Sequence, residues 1–343
     1  MFKKGKVTGN IRGIYSVFSN DVHYLTGEGD KHNPDLSSSQ GANHQLSEAY
    51  VNYKNKGLNL RVGRQIIDTP LVDSDDIRMT PNTFDAYSVV YERDKFSFIA
   101  AHVNAWQGYD AGLENGWVNT GKDGVNFGGL SYSNAAVDVS AWYYNISNAS
   151  ASDIIKGADQ NGNNSFYADI SGHFDVSDEL FVHVNLQYLK QNELDGSNVK
   201  ANIYGSMAQV VYGDFSVGLA YNKSIKQKGK HSFSGYGGGT LYTSMDTMIL
   251  DEITEDRDAQ AIVISLRYTL YDVNFLYAYG NFDGKANSLK VKEHIVAQNI
   301  GLEYTTQNEL TLAVVYVIHD NKEDSKSTFY NDNNFRILAS YNF

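Results

Sequence analysis

Charged and proline residues are concentrated in one stretch of the sequence, residues 63–84. The stretch carries Asp73, Asp75, Asp76 and Arg78 between Pro70 and Pro81. Proline cannot donate a hydrogen bond to a β ladder, so the middle of the stretch is not a strand. Apolar residues such as Leu71 and Val72 nevertheless need a surface to pack on. The pattern predicts a loop folded against a wall, with charges available to bind and orient polar solutes.

Other groups of polar residues lack the spacing of a catalytic or cofactor site. The run from Asp73 to Asp76 has neither the glycine nor the distal glutamate of an EF-hand loop. The Gly235–Gly239 stretch is not followed by the Lys–Ser/Thr pair of a phosphate-binding loop. His173 and His183 flank one turn, but two imidazoles are fewer than the usual number of metal ligands. We therefore predict no catalytic residue, no cofactor and no metal.

A two-residue alternation of apolar and polar side chains runs through most of the chain. For example, Ile262, Ile264 and Leu266 alternate with Ser265 and Arg267. Such alternation indicates strands with one apolar and one polar face, and no convincing helical periodicity is present. Sixteen segments of roughly ten residues can be counted. They are joined alternately by short turns and by long loops rich in Gly, Asn, Ser and Asp.

This alternation of short and long connections is typical of a barrel in the bacterial outer membrane. The fold class predicted is therefore all-β: one transmembrane antiparallel β-barrel over residues 1–343, with short periplasmic turns and long extracellular loops. The 343 residues contain no run of about 18 apolar residues, which a membrane-spanning helix requires. The absence of cysteine excludes a disulfide framework. A net charge of −12 argues against nucleic acid as a partner.

The N-terminal sequence has no hydrophobic signal core. Export to the outer membrane requires one, so we expect Met1 to follow a removed signal peptide.

Two motifs resemble the OprD-like substrate-specific porins of bacterial outer membranes. The first is Gly63-Arg64-Gln65 with the following Asp68 to Phe84, and the second is Gly237 to Asp246. The resemblance implies two inward-folded constriction loops, here residues 69–83 and 229–258, and basic wall residues that guide carboxylates. It also implies eighteen strands instead of sixteen, because the family has an additional hairpin where residues 20–43 show no convincing pair of strands.

Strand phase points Arg12, Arg61, Arg267 and Arg336 towards the lumen. With Arg78 and the loop carboxylates Asp73, Asp75 and Asp76 they form the predicted substrate path. A cationic wall facing an acidic loop produces a transverse field that orients zwitterions and small carboxylates. The alternative is that these arginines pair with nearby carboxylates and hold the loops in place.

The sequence thus predicts a porin: a passive, non-enzymatic ion and solute channel for carboxylates or amino acids. The partners expected are the lipid bilayer or lipopolysaccharide and small solutes, and monomer and trimer both remain open. One alternative is a barrel that acts as an adhesin or receptor through its loops. Another is an outer-membrane protease, for which His102 is predicted to face inward near a rim.

Overall fold

The computed structural model describes residues 6–16, 43–74, 81–108, 110–111, 116–155, 157, 160–246, 248–306, 310–322 and 332–341. Strands dominate them: sixteen long ones and a two-residue one. They are β1 (Lys6–Ser16), β2 (Asn43–Asn55), β3 (Leu58–Gln65), β4 (Thr83–Arg93), β5 (Phe96–Gln107), β6 (Val118–Asn119), β7 (Val125–Ser133), β8 (Val137–Ile146), β9 (Asn163–Asp175), β10 (Leu180–Glu193), β11 (Ala201–Tyr212), β12 (Phe215–Ser224), β13 (Ala259–Leu270), β14 (Val273–Gly284), β15 (Glu293–Thr305), β16 (Leu310–Asn321) and β17 (Asp332–Tyr341).

The long strands pair antiparallel with their neighbours in chain order, from β1 to β17. The short β6 pairs with the end of β5, which also pairs with β7. Register shifts interrupt the ladders between Arg12 and Ile14 and between Asp85 and Ala86. The sixteen long strands of the described residues confirm the predicted all-β architecture and match the sixteen segments counted in the sequence. The hairpin in question, residues 20–43, lies outside the described residues except for Asn43, the first residue of β2.

The two faces of the sheet follow the alternation of the sequence. On β13, Ile262 and Ile264 remain 44% and 42% exposed, whereas Ala261 and Val263 between them are buried. Exposed apolar side chains of this kind cover the outward face, where lipid tails can replace water. Apolar side chains also line part of the inward face, but there the connecting segments cover them.

The sheet curves around the segments that lie on its inward side. Thr240 accepts a hydrogen bond from Gln187 on β10, and Asp246 forms an ion pair with Arg336 on β17. In a flat sheet, β10 and β17 would lie about 33 Å apart. Residues 240–246 therefore contact two strands that are seven positions apart in the sheet, and a sheet curled into a barrel brings two such strands to the same inner space.

The connections differ in length at the two ends of the barrel. Short turns such as the Lys56-Gly57 turn, whose two φ angles are 46° and 83°, join strands at one end. At the other end lie longer segments, whose described parts include a short helix, α1 (Ala151–Ile155), and a 3₁₀ turn, Leu250–Ile253. Within the described residues, no helix is long and apolar enough to cross a membrane.

The predicted inward direction of His102 is wrong. His102 pairs in register with Tyr87, which is 56% exposed on the outward face, and its ring hydrogen-bonds to Asn126 and Asn104. Both faces of β5 carry apolar side chains, for example Phe98 and Ile99, so its phase is ambiguous in the sequence. The residue on which the protease alternative depended therefore does not face the lumen.

Candidate functional site

Two connecting segments meet on the inward side of the barrel. One joins β3 to β4 and the other, residues 225–258, joins β12 to β13. The backbone N–H of Tyr236 donates to Leu71 O at 3.0 Å, and Asp73 N–H donates to Tyr236 O at 2.8 Å. The Thr240 hydroxyl also donates to Pro70 O. Backbone hydrogen bonds thus join the two segments into one unit.

Two glycines allow this close contact. Gly235 and Gly237 have φ angles of 97° and 106°, in the left-handed region that side chains disfavour. A Cβ atom at Gly235 would lie 2.8 Å from Leu71 Cα, and one at Gly237 would lie 2.2 Å from Asp73 O. The glycine-rich run in the second motif is therefore required by packing against the first motif.

The joined segments rest on inward side chains of the strands. The Leu71 N–H points to the Tyr144 hydroxyl on β8 at 3.4 Å, and Leu71 and Val72 are completely buried. On β10, Gln191 both donates to Phe233 O and accepts from Phe233 N–H, each at 2.8 Å. The wall therefore provides both an apolar surface and hydrogen-bond partners for the segments.

Gln187 on β10 is the centre of a second set of hydrogen bonds. Its amide donates to Thr240 O at 3.0 Å, and its oxygen accepts from Tyr242 N–H and from Asn222 Nδ2, both at 2.8 Å. Gln187 and Asn222 are buried. Buried polar groups satisfied in this way fix one conformation, because any displacement leaves several of them unpaired.

Buried ion pairs attach the second segment to the opposite part of the wall. Arg336 on β17 is 3% exposed and pairs with Asp246. Arg257 Nη1 lies 3.5 Å from Glu293 Oε1 on β15, and both side chains are buried. Breaking such a pair leaves an uncompensated charge in a desolvated position. The segment is therefore held on both sides of the barrel.

Asp256 fixes the base of the same segment. Its carboxylate accepts hydrogen bonds from Gly229 N–H at 2.8 Å and Ser288 N–H at 3.0 Å, and Lys226 Nζ lies 3.4 Å away. The hydrogen bonds from Ser288 and Gly229 hold the pKa of Asp256 well below its usual range. The carboxylate thus connects residues 225–258 to the connection between β14 and β15.

The 3₁₀ turn of this segment carries two carboxylates in a desolvated environment. Burial raises the pKa of Asp251 to about 6, although a hydrogen bond from Ser232 opposes the shift. Burial also raises the pKa of Glu252 to about 7, and the adjacent Asp251 adds to this. The side chain of Glu252 is exposed to water, whereas that of Asp251 is only partly exposed. The negative charge of this turn therefore increases across the neutral pH range.

The predicted arginines occupy different environments. Arg267 on β13 is exposed and lines a cavity of about 360 Å³ together with Gln209, Ser265 and Asn299. In the described part of the chain, no carboxylate lies within ion-pair distance of it. Arg61 stacks over the ring of Tyr50, with 4.3 Å from its guanidinium carbon to the ring centroid. Arg336 is inward, as the strand phase predicts, but it is buried against Asp246.

Of the remaining predicted site residues, the structure describes Arg12 and Asp73. Arg12 lies opposite Glu48 in the register between β1 and β2. Asp73 lies in the contact between the two segments. Asp75, Asp76 and Arg78 lie outside the described residues.

The residues that hold the segments in place have no distinctive pattern in the sequence. Asp246 ends the second motif, and Gln187, Gln191 and Asn222 are ordinary polar residues of inward phase. Only the position of Asp246 within a motif gave any signal. Which wall residue a loop contacts depends on the closed barrel, which strand periodicity does not specify.

Comparison with known proteins identifies related barrels. The family model for the outer membrane porins of the OprD family matches residues 23–307. The crystal structure of Acinetobacter baumannii OccAB3 is similar with a TM-score of 0.71 and 15% identity, over 90% of this chain and 81% of that one. The crystal structure of Pseudomonas aeruginosa OpdK with vanillate has a TM-score of 0.70 and 16% identity, over 85% of this chain and 78% of that one. The crystal structure of Pseudomonas aeruginosa OccK5 (OpdH) has a TM-score of 0.68 and 14% identity, over 88% of this chain and 83% of that one. No curated protein sequence matches.

Proposed function

Because the chain belongs to the OprD family of outer membrane porins, we propose that it is a passive channel for small carboxylates or amino acids. It is a porin of the bacterial outer membrane, in contact with the bilayer and with small solutes. The observation that carries the substrate proposal is the exposed Arg267 on the inward face, beside a water-accessible cavity. The family consists of channels, so no catalytic group is required for this activity.

In this proposal, residues 69–83 and 229–258 narrow the channel. The contact between Leu71, Asp73 and Tyr236 supports this role, because it places backbone from both segments within the space that the strands enclose. The hydrogen bonds of Gln187 and Gln191 hold the second segment against β10. A constriction of fixed shape can select solutes by size, while charges near it select by sign.

The arginines take different roles in this proposal. Arg267 can offer two parallel hydrogen bonds to a solute carboxylate, because its guanidinium is exposed and always charged. Arg336 serves to fix the constriction, since its charge is already compensated by Asp246. Asp73 and Glu252 provide the opposite sign, and a solute with both an ammonium and a carboxylate group fits such a field. The related structure of OpdK contains vanillate, an aromatic carboxylate, which agrees with this substrate class.

Single-channel recording in a planar bilayer tests the proposal. Under a salt gradient, the reversal potential reports ion selectivity, and added small carboxylates report binding through current block. We expect Arg267→Ala to shift the reversal potential towards cations and to weaken carboxylate block about two- to fivefold, the range of an exposed ion pair. Arg267→Lys should retain most of the selectivity.

Arg93→Ala is the matched control, because Arg93 is an exposed arginine at the end of β4 on the outward phase. Arg93→Ala should leave the reversal potential and the carboxylate block unchanged. Equal block in wild type and Arg267→Ala would exclude the proposed role of this residue. A folded protein that never opens would instead favour the adhesin or receptor alternative, and peptide hydrolysis would favour the protease alternative.

A further inference from the structure

Two histidines face each other on neighbouring strands at the end of the barrel that carries the short turns. His173 on β9 and His183 on β10 are direct partners in the ladder, and their Nδ1 atoms lie 2.8 Å apart. On the other side of the His173 ring, Nε2 lies 2.5 Å from Asp138 Oδ2 on β8. Asp138, His173 and His183 thus form a linear cluster across three strands.

The hydrogen bonds of this cluster assign the tautomers. An ionised carboxylate only accepts, so Asp138 requires a proton on Nε2 of His173. The Nδ1 atom of a neutral His173 is then an acceptor, and Nδ1 of His183 donates to it. The proton on Nδ1 of His183 thus lies between the two nitrogens. When it is removed, the lone pairs of both Nδ1 atoms can point to the same ion. Among the described residues, Nε2 of His183 makes no hydrogen bond or ion pair.

We propose that a divalent transition-metal ion, Cu²⁺ or Ni²⁺, binds between these two Nδ1 atoms. Metal–imidazole bonds of about 2.0–2.1 Å at a right angle place the two nitrogens about 2.9 Å apart. The observed 2.8 Å agrees with this arrangement, which square-planar and octahedral ions adopt. A tetrahedral ion such as Zn²⁺ needs about 3.3 Å and requires a larger displacement of both rings.

Proton balance is satisfied without any additional reactant. His183 moves its proton from Nδ1 to Nε2, and both imidazoles remain neutral when the ion binds. Asp138 keeps its hydrogen bond to Nε2 of His173 and fixes the orientation of that ring, as carboxylates commonly do beside metal-binding histidines. Water, or donor atoms of a small chelating solute, fills the other coordination positions.

The site has two protein ligands, and the described residues offer no group of three. It is accessible from the lumen, because the side chain of His173 is 27% exposed and that of Asp138 is 43% exposed. Two other described histidines have different environments. His102 is held by two asparagines on the outward face, and His294 pairs with the single carboxylate of Asp283 at 2.8 Å. The ion would add positive charge to the lumen wall.

Copper binding to the purified full chain, without a histidine tag and in detergent, tests this site independently of transport. At one equivalent of Cu²⁺ we expect electron paramagnetic resonance to show coupling to two imidazole nitrogens. Calorimetry should show this binding lost in the double variant His173→Asn, His183→Asn. Asp138→Asn, which keeps both ligands, should weaken binding about 10- to 100-fold.

His294→Asn is the matched control and should bind Cu²⁺ as wild type does. Heat-modifiable migration on gels checks that each variant forms a barrel. Equal Cu²⁺ affinity in wild type and the double variant would overturn the proposal, and so would a wild-type spectrum with coupling to only one nitrogen. The wild-type spectrum is measured without any variant, so the proposal can still be tested if a variant does not fold.

Discussion

An arginine in the lumen can either guide solutes or attach a segment to the wall, and the environment of Arg336 distinguishes the two roles. Strand phase alone makes it a candidate for guiding solutes, but its side chain is buried and paired with Asp246. A guanidinium that is already compensated and almost inaccessible to water has little capacity left for a solute carboxylate. We therefore interpret Arg336 as the residue that attaches the second segment to β17.

This interpretation predicts a loss of stability when either partner is removed. Arg336→Met removes the cation that pairs with Asp246, and Asp246→Asn removes the carboxylate that pairs with the buried guanidinium. We expect each to lower the free energy of unfolding by about 3–5 kcal/mol, measured by denaturant titration in detergent. Each should also raise single-channel conductance, because the segment is released from one side of the wall.

The double variant with both substitutions serves as the control. It should recover a large part of the lost stability, because no uncompensated charge remains. A guiding role gives a different pattern: Arg336→Met then weakens carboxylate block while stability and conductance stay as in wild type. Asp246→Asn separates the roles further, since it keeps the arginine.

The two connecting segments behave as one structural element because glycine permits their contact. Gly237 lies so close to Asp73 that any Cβ atom collides with a backbone oxygen at 2.2 Å. Gly239 also has a positive φ, 78°, but no atom lies within 4 Å of a Cβ built there. A residue with a side chain is therefore strained at both positions. Only at Gly237 would its Cβ atom also collide with the other segment.

We predict that Gly237→Ala separates the segments and raises single-channel conductance, whereas Gly239→Ala leaves it unchanged. Both variants should lose about 1–3 kcal/mol of stability from backbone strain. Conductance histograms from planar bilayers provide the comparison. If Gly239→Ala raises conductance as much as Gly237→Ala does, general loosening explains the effect and the specific contact does not.

The elements differ in how far the sequence predicts them. Strands such as β13 are predictable because lipid on one side and water on the other enforce strict alternation. That rule weakens towards the long connections, where the inward segments require apolar side chains from the wall, such as Val103 and Ile146. For this reason the sequence pattern predicts the wrong face for His102.

At the scale of the whole molecule, the usual distribution of polarity is inverted in the outer layer. Large apolar side chains such as Leu219 and Ile337 are among the most exposed residues of the strands. Many polar side chains of the strands face inward instead, for example Gln187 on β10 and Arg267 on β13, where the two segments or water contact them. This arrangement explains why alternation identified the barrel while average polarity resembled that of a soluble protein.

Adjacent residues near the middle of β13 allow a direct test of this inversion. Ile264 is outward and 42% exposed, and Ser265 is inward beside the cavity lined by Arg267. We expect Ile264→Arg to lower the free energy of unfolding in lipid vesicles by about 2–4 kcal/mol, because a charge at the bilayer midplane is poorly solvated. Ser265→Arg places the same charge in lumen water and should cost far less, while shifting the reversal potential towards anions. Equal losses from the two substitutions would contradict the assignment of faces, since only a lipid-facing arginine lacks a polar environment.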